Sequence, residues 1–173
     1  TPDNVTARRV LPLGGRTKIG VFEIELVTLA HSIPEPSGLA IRTPAGLVFH
    51  TGDWKFDATP LVGAPPDENK LKALGDEGVL AMIGDSTNAL REGRSPSETD
   101  VAKSIAKIIK GAPRRVAVTT FASNVARVKA VADAARASGR KLVVAGRALH
   151  RVISVAKDTG YLPESFSYVD QEY

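Results

Sequence analysis

The hydrophobic period of this chain changes once, between Asp85 and Ser95, and no other feature constrains its fold as much. Before that point the sequence reads as short strands separated by turns; after it, helices and strands alternate. In "IGVFEIELVTLA" apolar and polar residues alternate around positions 21–26, as in a strand with one face buried. "GLAIRT" and "LVFHTG" are two short strands divided by Pro44, Ala45 and Gly46, which predicts a tight hairpin. Residues 60–78 read as a loop followed by one or two helical turns. "VLAMIGDS" then reads as a buried strand that ends on an acid.

From Ser95 the order becomes helix, strand, helix, strand, helix. In "SPSETDVAKSIAKIIKG" the expected N-cap is Ser95, with Pro96 at the first helical position and Glu98 three residues after the cap. Val101, Ile105, Ile108 and Ile109 should form one apolar stripe, and Gly111 should end the helix. "RVAVTTF" is short and β-branched and is expected to be a strand. "SNVARVKAVADAARASG" predicts a helix capped by Ser123 or Asn124 and stopped by Gly139. "KLVVAG" should be a further strand, and "RALHRVISVAKDTG" a helix closed by Gly160. Strands that alternate with helices imply parallel βαβ units.

Composition narrows the class of protein. The 173 residues contain 43% hydrophobic and 24% charged side chains, the normal range for a globular chain. No apolar run approaches the roughly 18–20 residues needed to span a bilayer, so no membrane partner is expected. There are no cysteines, which excludes disulfides and zinc–thiolate sites and agrees with a cytoplasmic location. The net charge of +4 is compatible with a polyanionic partner and equally with a solvated basic surface. Aromatic residues make up only 5%, so stacking platforms for single-stranded bases are few.

The residues able to carry chemistry gather in "HSIPEPSGLAIRTPAGLVFHTGDWKFD". A hairpin centred on Ala45 carries Asp53 back to the neighbourhood of Ser37, so His31 and Asp53 come to the same end. An imidazole and a carboxylate suit Zn²⁺ or Mn²⁺, and Gly52 lets the backbone turn sharply beside Asp53. A capping pair or a surface contact is the competing reading. The chain has only three histidines, His31, His50 and His150, too few to assemble a complete hydrolytic centre. His50 is expected behind such a site and His150 in the middle of a helix.

Several motifs together, "AHSIPE", "HTGDWKFD", "GDSTNA" and "FASNVARV", occur in an order that resembles the metallo-β-lactamase superfamily. Within it the chain is most similar to the β-CASP nucleases of the ribonuclease J family. The resemblance runs from about Lys18 to Tyr161. It implies an α/β fold: part of a metallo-β-lactamase αββα sandwich over residues 1–85, joined to part of a β-CASP parallel-sheet domain over residues 86–173. It also implies a zinc-dependent ribonuclease that cuts RNA internally and from the 5′ end, with RNA as partner and a homo-oligomer in the full-length protein.

The resemblance assigns His31 and Asp53 as metal ligands in a two-zinc centre, Asp53 bridging the ions. Asp85 would be a catalytic acid that orients a proton-donating histidine. A metal-bound water with a lowered pKa would attack the phosphodiester. The family's His-x-His-x-Asp-His cluster would lie upstream of residue 1 and its later histidines beyond residue 173. The expectation is therefore an incomplete zinc site in this chain and no nuclease activity from the chain alone. Pro36 departs from the small polar residue usual in the family. Ser123 and Asn124 would lie near the RNA path, with helix capping as the alternative role. Lys55, Arg91, Arg94, Arg127 and Arg147 are candidate phosphate contacts, against a bland role as solvated surface. Other readings are a metallo-β-lactamase-fold hydrolase of DNA or a small ester, and a non-catalytic module binding RNA or protein.

Overall fold

The computed structural model describes residues 9–170; the outermost residues of both expected parts, 1–8 and 171–173, lie outside it. Two groups of elements follow one another along the chain. The first is a five-stranded sheet in sequential order: β1 (Arg16–Ile19), β2 (Phe22–Thr28), β3 (Ser37–Thr43), β4 (Gly46–His50) and β5 (Val79–Ile83). The first four strands are antiparallel. Helix α1 (Glu68–Glu77) is the crossover that brings β5 alongside β4 in parallel. The sheet is thus mixed and the fold α/β.

The hairpin turn is as tight as its sequence predicts. Thr43 pairs with Gly46, so Pro44 and Ala45 alone make the connection. The Thr43 hydroxyl accepts the Ala45 N–H at 3.1 Å and steadies it. The alternation near residues 21–26 resolves into a turn at Gly20 and Val21 that joins β1 to β2. Val27, Leu29, Ala40, Leu47 and Phe49 form the buried face of the sheet, closed by Leu74 of α1. Gly38 is required there: a Cβ would stand 2.7 Å from the Phe49 ring. Helix α1 has ten residues, longer than the one or two turns expected, because Asp67 caps it by accepting the Lys70 N–H at 2.9 Å.

Strand β5 corrects the sequence reading. "VLAMI" looks like a buried strand, yet Leu80 and Met82 are each 66% exposed. The strand lies at the sheet edge, beyond β4, and nothing among the described residues covers its faces.

The second group begins with α2 (Glu98–Gly111) and α3 (Val125–Ala137), which pack on each other. It ends with β6 (Val143–Val144), α4 (Arg147–Asp158) and β7 (Val169–Asp170), a parallel β–α–β crossover. Val125, Val128, Ala132, Val144, Ile153, Ala156, Leu162 and Phe166 form a core shared by α3, β6, α4 and the segment that follows α4. Helices α3 and α4 match their predicted limits. Asn124 caps α3, and Gly139 and Gly160, at φ 65° and 79°, follow the two helix ends.

Three expectations fail in this half. The N-cap of α2 is Ser97, which accepts the Asp100 N–H at 3.1 Å, and not Ser95. Glu98 is the first helical residue because its carboxylate is drawn into a buried ion network, described below. The α2 stripe is also rotated: Ile109 is buried, Val101 and Ile105 are half-buried, and Ile108 is 63% exposed. Residues 115–121 form no strand, and only Val143 and Val144 of "KLVVAG" are paired. Val116 and Val118 instead line an apolar cavity of about 640 Å³ together with Leu142 and Val144. β-Branched residues favour an extended backbone, but a strand exists only where a neighbouring backbone completes its hydrogen bonds.

Candidate active site

The end of β4 and the two loops beside it bring the expected site residues together. After β2 the chain forms an isolated antiparallel bridge between Ala30 and Lys55, with the Lys55 N–H donating to the Ala30 carbonyl at 2.9 Å. In that register His31 lies opposite Trp54, next to Asp53. His31 is half-buried, and its Nδ1 lies 3.3 Å from the Ser32 hydroxyl. Asp53 is exposed at the turn that Gly52 makes with φ 60°. His50 supports this turn from outside, its Nδ1 accepting the Gly52 N–H at 3.0 Å.

Asp85 reaches the same place from β5. Its Oδ1 accepts the backbone N–H of Thr87 at 2.9 Å and the Thr87 hydroxyl at 2.6 Å. These two bonds, then the nearby His31 and the Trp54 backbone N–H, hold the Asp85 carboxyl below the ordinary aspartate range. The Asp85 N–H donates to the hydroxyl of Thr51 at 3.1 Å, and that hydroxyl donates to the Gly52 carbonyl at 2.7 Å. Buried Thr51 therefore joins the Asp85 segment to the Asp53 turn. A threonine before Gly-Asp gives little warning of this role, because its partner is thirty-four residues away. Trp54, Lys55, Phe56, Asp85, Asn88 and Arg94 line an open cleft of about 370 Å³. Trp54 packs on the sheet core and meets Phe56 edge to face, with ring centroids 5.4 Å apart.

The donors here do not by themselves fit a metal ion. A catalytic zinc takes about three protein ligands. Among the described residues, no group of three or more His, Cys, Asp or Glu stands close enough to hold one.

Ser123 and Asn124 lie apart from this cleft, at the start of α3. The Asn124 Oδ1 accepts the Arg127 N–H at 2.8 Å, so capping engages this side chain. Ser123 is exposed. Of the candidate phosphate contacts, Lys55 and Arg127 are both engaged by Glu98, at 3.0 and 3.4 Å, whereas Arg94 opens onto the cleft. His150 lies within α4 and its Nδ1 is 2.9 Å from the Tyr168 hydroxyl, a contact remote from the cleft in sequence. No helix among the described residues is long and apolar enough to cross a membrane.

The family described as "Ribonuclease J, beta-CASP domain" matches residues 113–172. Over most of its length the chain is similar to proteins called Ribonuclease J. It is 52% identical over 149 residues to Ribonuclease J of Sinorhizobium meliloti, a match covering 86% of this chain and 26% of that protein. It is 50% identical over 143 residues to Ribonuclease J of Corynebacterium glutamicum (83% and 20% of the two chains). Ribonuclease J of Thermus thermophilus is 45% identical over 148 residues (85% and 26%). The chain thus spans about a quarter of the length of the curated relatives it matches. A solved structure, a protein of unknown function from Enterococcus faecalis V583, has the same fold over 96% of this chain and 42% of its own. Its TM-score is 0.64 and its sequence identity 18%.

Proposed function

We propose that this chain is part of a zinc-dependent ribonuclease that hydrolyses RNA phosphodiesters, internally and from the 5′ end, in cytoplasmic RNA processing and decay. The observation that carries the reading is the 52% identity to a ribonuclease J across 149 residues, a stretch that includes the cleft. Residues 1–85 are read as part of a metallo-β-lactamase sandwich and residues 86–173 as part of the β-CASP domain. The full-length protein is read as a homo-oligomer.

His31 and Asp53 are proposed as two ligands of a two-zinc centre, and Asp85 as the acid that orients a catalytic histidine. Zinc, when bound, supplies Lewis acidity toward the phosphoryl oxygens. What this chain supplies is placement. The Ala30–Lys55 bridge sets His31 beside the Asp53 turn, and Thr51 and Thr87 fix the Asp85 backbone and carboxylate. Two candidate ligands are fewer than such a centre needs, and this reading assigns the remaining ones to residues beyond the described ones.

The test is Asp53→Ala in the whole protein, measured by cleavage of a labelled RNA and by RNA binding across a salt series. Loss of cleavage with binding retained supports the reading. Unchanged cleavage overturns it. An unmodified protein that binds RNA in a salt-dependent way but never cleaves it would instead be a binding module. The 173-residue chain alone is expected to show no chelator-sensitive cleavage.

A further inference from the structure

Among the described residues, Glu35 is the one non-glycine residue with a positive φ, 56°. That backbone region is strained for an ordinary L-residue, and it persists only where the surroundings impose it. Glu35 lies four residues after His31, between Pro34 and Pro36, in the loop that joins β2 to β3. Both prolines lack a backbone N–H and so cannot anchor the loop by donating hydrogen bonds. Its anchors come from elsewhere. The Leu29 N–H donates to the Pro36 carbonyl at 3.0 Å and closes the base. The tip is held by the Tyr161 hydroxyl, which donates to the Glu35 carboxylate across 126 residues of sequence.

Tyr161 is well placed for this. It follows α4 and packs on the buried cluster of the second half, against which Val62 also packs. The loop of Gly63 lies under Glu35, close to its backbone nitrogen. Burial, and then the hydrogen bond to Glu35 and its charge, push the Tyr161 hydroxyl up to about 12.

We propose that Tyr161 and Glu35 form a latch that fixes the His31 loop from the second half of the chain, making both of them positioning residues for the cleft. Its importance for the reaction rests on the functional reading above, but its structural action does not. The latch explains why a glutamate is kept in a conformation suited to glycine: only a side chain with an acceptor can receive the Tyr161 hydroxyl. Glycine would relax the backbone and leave the loop untied.

The experiment compares the whole protein with its Tyr161→Phe, Glu35→Gly and Glu35→Gln variants. Loop motion is read by ¹⁵N relaxation of selectively labelled Ser32, Ile33 and Ser37, and reaction by kcat and KM on RNA. Tyr161→Phe and Glu35→Gly should lower the loop order parameters from about 0.85 toward 0.6. Both should cut kcat about tenfold, as a small misplacement of a site loop does, while KM changes less than about twofold. Glu35→Gln keeps the acceptor and should restore both readouts. Order parameters unchanged in Tyr161→Phe overturn the latch. Looser loops with unchanged kcat overturn its positioning role. If the unmodified protein cleaves no RNA, the functional reading fails, and the relaxation data still decide the latch.

Discussion

The buried carboxylate of Asp57 accepts the backbone N–H of Glu98 at 2.9 Å, forty-one residues further along the chain. Asp57 thereby satisfies a free N–H at the start of α2 from a loop of the sheet half. Its other oxygen accepts the Thr59 N–H at 3.1 Å. Lys55 lies between the two acids, 3.4 Å from Asp57 and 3.0 Å from Glu98, and Arg127 of α3 meets Glu98 at 3.4 Å. Two acids and two bases thus join the Asp53 turn to the first helices of the second half.

Removing Asp57 takes the acceptor from the Glu98 and Thr59 N–H groups and leaves Lys55 with one acid in place of two. Asp57→Ala should destabilise the protein by about 3 kcal/mol. Asp57→Asn keeps one acceptor oxygen and should cost less. Urea unfolding of both variants checks the order, and equal midpoints for Asp57→Ala and the unmodified protein would contradict it.

Acid should weaken the sheet half through Glu25. Burial alone would raise this carboxyl, but Lys70, Arg42 and Arg16 surround it and hold it at about 2. In the unfolded chain the group titrates near 4.5. Its stabilisation is therefore complete above pH 4.5 and is lost as the pH falls toward 2. The span corresponds to roughly 3 kcal/mol. Unfolding free energies of the unmodified protein and Glu25→Gln, measured from pH 7 to pH 2, should converge at the acid end. A constant difference would show that Glu25 does not carry this effect.

Thr51→Val preserves shape and removes the hydroxyl that links the Asp85 and Gly52 backbones. The Asp85 N–H loses its acceptor, at a cost of about 1 kcal/mol. In the whole protein cleavage should fall about tenfold through misplacement of Asp85, and Thr51→Ser should recover most of it. Thermal unfolding and single-turnover cleavage of the two variants make the comparison.

At the start of α3, Asn124→Ala should cost about 1 kcal/mol by loss of the cap. Exposed Ser123→Ala should stay within about 0.5 kcal/mol. If either residue also contacts RNA phosphate, its variant will weaken RNA binding more at low salt than at high salt. Binding isotherms at two salt concentrations, alongside the stability data, separate the two roles.

What the sequence determined by itself is what neighbouring residues decide. A tight turn at Pro44, Ala45 and Gly46, a cap for α3 at Ser123 or Asn124, and stops at Gly139 and Gly160 were legible, because each effect acts over about one turn of chain. The motifs around His31, Asp53 and Asp85 were legible for the same reason, as short patterns. Tertiary structure decided the rest. Ser97 caps α2 in place of Ser95 because Lys55, Asp57 and Arg127 capture Glu98. Among the described residues no backbone pairs with residues 115–121 and no layer covers the faces of β5, so the first forms no strand and the second is exposed. Thr51, Asp57 and the Glu35–Tyr161 contact were hidden because their partners are brought near only by the crossing of the chain. A hydrogen bond depends on distance in space, and periodicity along a sequence carries no measure of that distance beyond its own element.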